Sequence, residues 1–286
     1  MQFLGTAAAD AIPGPLCSCK LCEEARQNPE HMRLRSMFLL DEKNLIDCGP
    51  DFVAASMKHG LNLSKLENIF ITHTHEDHFC PSNAGMLLMS KTRPDVPVDI
   101  YLSEGAYEMT VAMREALGMK YGYLDAAIAF DKGLIRLHPV QTGIPFEAGG
   151  YKIIAVDTMH RISKQETGIN YLFEKNGRKL LYACDTGFYP DKTLCTLAGR
   201  KVDSLVLETT WGSLTDRSSD SHLNCEAFVK MLDILLEEAI IHKDTHIFAT
   251  HINHKHDFTH DDMQAWFDTH AKLPVTVAYD GLKIDE

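Results

Sequence analysis

The chain has 286 residues, 45% of them apolar, and a formal net charge of −12. So acidic a balance argues against a surface built to hold a long polyanion such as tRNA or duplex DNA, because affinity for these rests on dense Lys and Arg. A small anionic substrate drawn in by bound cations is compatible with it, and with no charge run or Pro/Ser-rich linker dividing the sequence, residues 1–286 read as a single domain.

In chain order, the opening "MQFLGTAAADAIPGP" has neither a basic n-region nor a long apolar run, and no later segment approaches the roughly 18 apolar residues of a membrane span. A soluble, cytoplasmic protein is expected. "PLCSCKLCEEAR" then sets three cysteines in a C-x-C-x2-C spacing. β-rich apolar runs follow at "SMFLL" and "NLIDCG" on either side of the turn "DEKN", and later at "NIFIT", "VDIYLS", "YKIIAVDT", "KLLYACDT", "SLVLETT", "THIFATHI" and "VTVAYDG". Between them lie helical patterns: Asp51 to His59 with Gly60 as the stop, Ala84 to Met89, Glu104 to Met119, and a segment after Thr259 with Trp266 and Phe267 inward. The clearest is the stripe Phe228, Met231, Leu232, Leu235, Leu236 and Ala239 at i, i+3, i+4 spacing, in a helix expected to end near His242. Near-continuous apolar strands interspersed with helices indicate an α/β protein with helix-covered sheets.

"IFITHTHEDHFC" concentrates His73, His75, Asp77 and His78 directly behind an apolar strand. The event recurs: the runs "AVDTM", "LYAC" and "IFAT" lead into His160, Asp185 and His251. If those strand ends share one rim, distant positions converge on one cleft, where α/β proteins tend to place their chemistry. His73 and His75 lie two apart, so extended backbone points both to the same side. Imidazole and carboxylate suit zinc, manganese or iron(II), and seven such groups exceed the three or four of a single zinc ion, so two divalent ions are inferred.

Eight cysteines without a secretion signal read as thiols or metal ligands. Cys48, Cys80, Cys184, Cys195 and Cys225 are scattered and read as small buried hydrophobes. Cys17, Cys19 and Cys22, with His254 three residues past His251, make a closed three-thiolate, one-imidazole set that suits a structural zinc held by a loop at 17–22; His256 or His260 could take the place of His254. His222, in "DSHLNCEAF", stands at the entrance of the amphipathic helix, where an imidazole is expected to be partly exposed and able to trade protons. Glu208 or Asp157 could orient a ligand histidine through its free ring nitrogen.

His-x-His-x-Asp-His after a strand, followed by a downstream His, an Asp after a strand and a last His, resembles the metallo-β-lactamase superfamily over nearly the whole chain. The resemblance implies an αββα sandwich, one metal on His73, His75 and His160, the other on Asp77, His78 and His251, and Asp185 bridging both. With the cysteine site beside the cleft, the chain is similar to the phosphodiesterase branch of the carbon–phosphorus lyase pathway and its coenzyme-biosynthesis relatives. In that branch a histidine at the place of His222 is the general acid, and a homodimer is implied. The expected chemistry is hydrolysis of a small or cyclic phosphodiester by a hydroxide between two ions. One departure stands out: "GTAAADAIPG" puts three alanines and Asp10 where the branch often has a glycine-rich turn. Fold alone does not fix the reaction. A tRNase Z-like endonuclease, a lactonase, thioesterase or glyoxalase-like hydrolase, and a metabolite carrier are the alternatives, and 109–129 is either a lid or an outer helix.

Overall fold

The computed structural model describes residues 1–86, 90–92, 96–117, 129 and 131–284. Among them the strands form two mixed sheets. The first runs β1 (Gln2–Gly5), β2 (Met37–Asp41), β3 (Asn44–Ile46), β4 (Asn68–Phe70), β5 (Val98–Ser103), β6 (Ile135–Val140) in spatial order. The second, from edge to edge, is β13 (Val275–Val277), β12 (His246–Thr250), β11 (Ser204–Glu208), β10 (Arg178–Ala183), β9 (Thr167–Lys175), β8 (Tyr151–Arg161), β7 (Pro145–Ala148). β3 to β6 pair in parallel, as do β10 to β13.

Period-two alternation inside buried strands sorts the apolar side chains into layers. Phe3, Phe38, Phe70, Tyr171, Phe173, Tyr182 and Val206 fill the space between the sheets. Leu205 and Leu207, on either side of Val206, face the opposite way, onto α4 (Asp191–Leu197), α5 (Cys225–Glu237) and α6 (His260–His270). Leu4, Leu45, Ile69 and Ile100 of the first sheet meet Ala55 of α2 (Phe52–Lys58) and Ala106 of α3 (Glu104–Leu117). The order helix, sheet, sheet, helix is the expected α/β sandwich, and no helix among the described residues is long and apolar enough to cross a membrane.

Local chemistry sets the ends of the helices. α2 stops before Gly60, whose φ is +61°. α6 opens on a capping box, in which the Thr259 hydroxyl accepts from the Asp262 amide while the Asp262 carboxylate accepts from the Thr259 amide. Met263 and Phe267 are the buried residues of α6, whereas Trp266 is only partly buried and stacks on His270. α5 ends at Glu237, short of His242, because Ala239 turns left-handed (φ 51°) and the amides of Ile240 and Ile241 fold back on the Leu235 carbonyl. The cysteine segment is not all loop, since α1 (Lys20–Gln27) begins inside it and carries Cys22 on its buried side. Ahead of the helix expected from Ala84 to Met89, a 3-10 turn spans Pro81–Gly85; Met86 is helical, and residues 87–89 lie outside the described residues. Residues 118–128 of the expected lid also lie outside them; 104–117 is helix.

Phe70 ties the two sheets together just behind the histidine-rich turn. Its ring lies 5.1 Å from Tyr101, 5.9 Å from Tyr171 and 5.1 Å from Phe173, so that both sheets are joined three residues before His73. Phe70→Ala should cost about 3–5 kcal/mol, the usual range for a large aromatic lost from a packed core, read as a lowered midpoint in denaturant unfolding.

Candidate functional site

The ends of β3, β4, β10, β11 and β12, with the last turn of β8, deliver polar side chains to one rim of the sandwich. Three residues there take left-handed backbone at the point where a strand stops: Asp47 (φ 59°), Asp185 (φ 54°) and His251 (φ 57°). Such φ values are uncommon for residues with a Cβ and cluster at functional sites.

Two groups of donors face each other. In one, the His75 Nδ1 lies 2.9 Å from His73 Nε2 and 3.1 Å from His160 Nε2. In the other, His78 Nε2 lies 3.2 Å from His251 Nε2 and 3.2 Å from the Asp77 carboxylate. One oxygen of Asp185 lies between them, 3.3 Å from His73 Nε2 and 2.9 Å from His78 Nε2. Ring nitrogens this close need a shared proton or a cation between them. Burial holds His73 well below the usual imidazole range and lowers His160 to about 4, so both are neutral and a cation is the better match. A tetrahedral ion with bonds of roughly 2.0–2.1 Å sets its donors roughly 3.3–3.4 Å apart, close to these separations. Burial also pulls His78 down, but Asp77, Asp47 and Asp185 outweigh it and hold the ring well above its ordinary value; a divalent ion would take the place of that proton.

Two carboxylates fix the ring orientations, and sequence reading passes over one of them. Asp47, fully buried, accepts from the Thr72 amide, the Thr72 hydroxyl and His78 Nδ1, the last at 2.7 Å. Because the single hydroxyl hydrogen of Thr72 goes to Asp47, its oxygen accepts from His73 Nδ1 at 3.1 Å. Glu208 repeats the device, taking the hydrogen of the Thr210 hydroxyl at 2.6 Å while that oxygen faces His251 Nδ1 at 2.8 Å. Each ring thus carries its proton outward and turns Nε2 to the cleft. Asp157, the other residue considered for this work, is engaged instead by Lys192 at 2.6 Å. Asp47 follows "NLI" in the same strand-then-acid pattern that marks Asp185, which is the signal that could have found it. Glu166, buried and also unforeseen, accepts from the Thr74 amide and hydroxyl and so steadies the turn between His73 and His75. Cys184 Sγ lies within 4.8 Å of the ligand atoms of His78, Asp185 and His251, and burial keeps it a neutral thiol.

His222 lies two residues before Asn224, the N-cap of α5, and is packed rather than mobile: its side chain is 16% exposed, against His160 (4.7 Å between rings) and edge-on to Trp211 (5.5 Å, 90°). Its Nδ1 lies 3.3 Å from Asp185 and 3.7 Å from Glu208. Burial opposes its charge, but the two carboxylates outweigh it and raise it to about 10.

Cys17, Cys19, Cys22 and His254 also converge, with ligand atoms all within 4.8 Å of one another. Cys19 Sγ lies 3.7 Å from His254 Nδ1, near the roughly 3.5 Å that a zinc ion with bonds of roughly 2.3 Å to sulfur and 2.0 Å to nitrogen would impose. Gly14 closes over the cluster, since a Cβ there would stand 3.0 Å from the imidazole. His256 and His260 are elsewhere. His256 is buried against Gly212, and His260 Nδ1 faces Arg33 at 2.9 Å. Asp10, in the departing N-terminal turn, lies 3.9 Å from His254 Nε2 and 3.2 Å from Lys255.

A family profile described as the beta-lactamase superfamily domain matches residues 43–257. Ribonuclease Z of Methanothermobacter thermautotrophicus is 28% identical over 178 residues, 62% of this chain and 48% of that protein, so the chain spans about half its length. A structure described as a new diphosphatase from the PhnP family is 24% identical, with a TM-score of 0.71 over 99% of this chain and 95% of the other. Zinc-bound PqqB from Methylobacterium extorquens gives 17% identity and a TM-score of 0.72 over 100% and 99%. These structural likenesses speak for the fold.

Asp47→Ala should weaken divalent-metal affinity by roughly 10- to 100-fold, because it releases both His78 and the Thr72 hydroxyl that holds His73; competition with a chromophoric chelator measures it. In the metal-free protein, the stability that protonated His222 contributes is complete below its ordinary pKa of 6.5 and is lost as pH rises toward about 10. Tm of the metal-free protein should therefore fall across that window, and fall less steeply in His222→Gln; an identical slope in the variant would rule His222 out as a contributor.

Proposed function

The chain belongs to the metallo-β-lactamase superfamily of hydrolases, and on that premise we propose that it hydrolyses a small or cyclic phosphodiester with two divalent ions and His222 as the proton donor. The observation that carries this reading is the position of His222, an imidazole beside both donor groups whose proton is stabilised by Asp185 and Glu208.

The residues present fit two cations: His73, His75 and His160 would hold one, Asp77, His78 and His251 the other, and Asp185 both. Ions so held would supply Lewis acidity toward a phosphoryl group and a water acidic enough to act near neutral pH. The chain does the rest. Asp185 fixes the separation of the two groups, while Asp47 and Glu208 keep the imidazoles in register through the two threonine hydroxyls. His222 keeps Nδ1 against the carboxylates, leaving Nε2 for a proton delivered to a departing alkoxide. Cys17, Cys19, Cys22 and His254 would hold a third, structural zinc, which ties the N-terminal turn to the strand end that bears His251. A homodimer belongs to the same proposal. The likeness to ribonuclease Z favours RNA cleavage as a second reading, against which the net charge of −12 weighs; a gel-shift titration with tRNA separates the two.

Purified protein loaded with zinc, manganese or iron should turn over small diesters, and no turnover of any diester with any of these ions would refute the proposal. His222→Ala should retain both metals and lower hydrolysis of a diester with a poor alkoxide leaving group by about 10²- to 10⁴-fold. A nitrophenolate leaving group, needing little protonation, should lose less, so equal losses on the two would assign His222 to oxyanion stabilisation instead.

A further inference from the structure

The segment from Glu208 to Asn224, between β11 and α5, carries more than His222. It is anchored at both ends and in the middle. The Trp211 amide bonds the Leu223 carbonyl at 2.9 Å, the Cys225 amide bonds Gly212 at 2.8 Å, and the Phe188 amide bonds Ser219 at 3.2 Å. Gly187, two residues past Asp185, lies so close to the segment that a Cβ would stand 2.4 Å from the Asp220 carbonyl. The segment therefore sits against the rim at a fixed height, and it sets His222, Trp211 and Arg217 side by side in that order.

Trp211 meets His222 edge-on, while the Arg217 guanidinium lies over the indole ring, 5.5 Å from its centroid. The indole N–H meets no acceptor among the described residues, so no hydrogen bond within the protein competes for the ring's orientation. Arg217 is 55% exposed, and the carboxylate it pairs with, Asp216, is 4.0 Å away, so no close ion pair among the described residues ties the guanidinium to its place over the ring. Indole and guanidinium are both planar groups on which nucleobases stack, and such stacking accepts any base because every base presents a π face. The cation also lies on the residue that packs against His222, in a chain with a net charge of −12, where a phosphorylated ligand needs one.

We propose that Trp211 and Arg217 form a base-stacking subsite on the leaving-group side of the cleft, so that the substrate is a nucleobase-bearing phosphodiester such as a nucleoside cyclic phosphate. The substrate assignment rests on the phosphodiesterase reading; the subsite itself does not. Arg217 swings off the indole, the base enters between them, and the ribose oxygens come to His222. The pair discriminates substrates and takes no part in bond cleavage.

The chain has two tryptophans, so Trp266→Phe leaves Trp211 as the only indole reporter. In that background adenosine 5′-monophosphate should quench the fluorescence saturably, and adding Arg217→Gln should weaken the binding. Arg217→Gln, a change at an exposed side chain that does not touch His222, should raise KM for adenosine 2′,3′-cyclic phosphate by roughly 5- to 100-fold, the range expected for one stacked base, and leave KM and kcat for a base-free ribose cyclic phosphate unchanged. Trp211→Leu should lose more on the adenosine substrate than on the base-free one, because it removes the stacking face as well as the packing on His222. Absence of quenching, or equal losses on both substrates, overturns the subsite and leaves Trp211 as packing for His222. Quenching without hydrolysis of either diester keeps the subsite and removes the phosphodiesterase reading, whereas hydrolysis indifferent to the base does the reverse.

Discussion

The carboxylate of Asp185 is nearly inaccessible to solvent, and imidazole nitrogens of His73, His78, His222 and His251 stand 2.9–3.3 Å from its oxygens. A buried anion surrounded by rings that burial itself tends to neutralise is an unstable arrangement unless positive charge is supplied. In the bare protein protons supply it, on His78 and His222. The fold around this point has to hold six strand ends at fixed heights against electrostatic strain. It does so with rigid material, the aromatic layer between the sheets and the buried pairs Asp47 with Thr72 and Glu208 with Thr210. The left-handed residues Asp47, Asp185 and His251 are part of the same arrangement, because each falls where a strand of the rim ends.

Much of this was legible in the sequence for a simple reason: an apolar strand followed at once by a metal-ligand residue type has few explanations. The pattern located His73, His160, Asp185 and His251, and the structure brings them to one rim. It also occurs at Asp47, which escapes notice because a single acid after a short strand carries no partner in sequence; the partners, Thr72 and His78, lie 25 and 31 residues away. β1, β6, β7 and β9 are hidden for other reasons. β7 and β1 are four residues each, and β6 is interrupted by Arg136, His138 and Pro139, which an exposed edge strand tolerates. β9 is apolar enough to read, but Thr167 and Gly168 at its start look like a turn.

The cysteine cluster shows how position in sequence misleads about secondary structure. Polar and charged around its thiols, "KLCEEARQ" reads as loop, yet its buried residues Leu21, Cys22 and Ala25 share one side of a helix. The departing turn "GTAAADAIPG" likewise acquires meaning only in space. Its backbone pairs with Ile252 through Ala7 and Ala8, and Asp10 stands beside His254 and Lys255, so the segment that differs most from the expected pattern is the one that buttresses the second cluster.

The order in which these groups leave the ribosome follows from where they lie. Both clusters draw on residues from the first third of the chain and are completed only by His251 and His254, near its end. A nascent chain therefore exposes three thiols and the HTHEDH turn long before their partners exist, in a state free to take up metals in the wrong stoichiometry or to oxidise. With the metals proposed above in both clusters, loading would be a late event, governed by metal supply at the moment β12 joins the second sheet, and poor yield of active protein under metal limitation would then be a fault of assembly timing and not of weak final affinity.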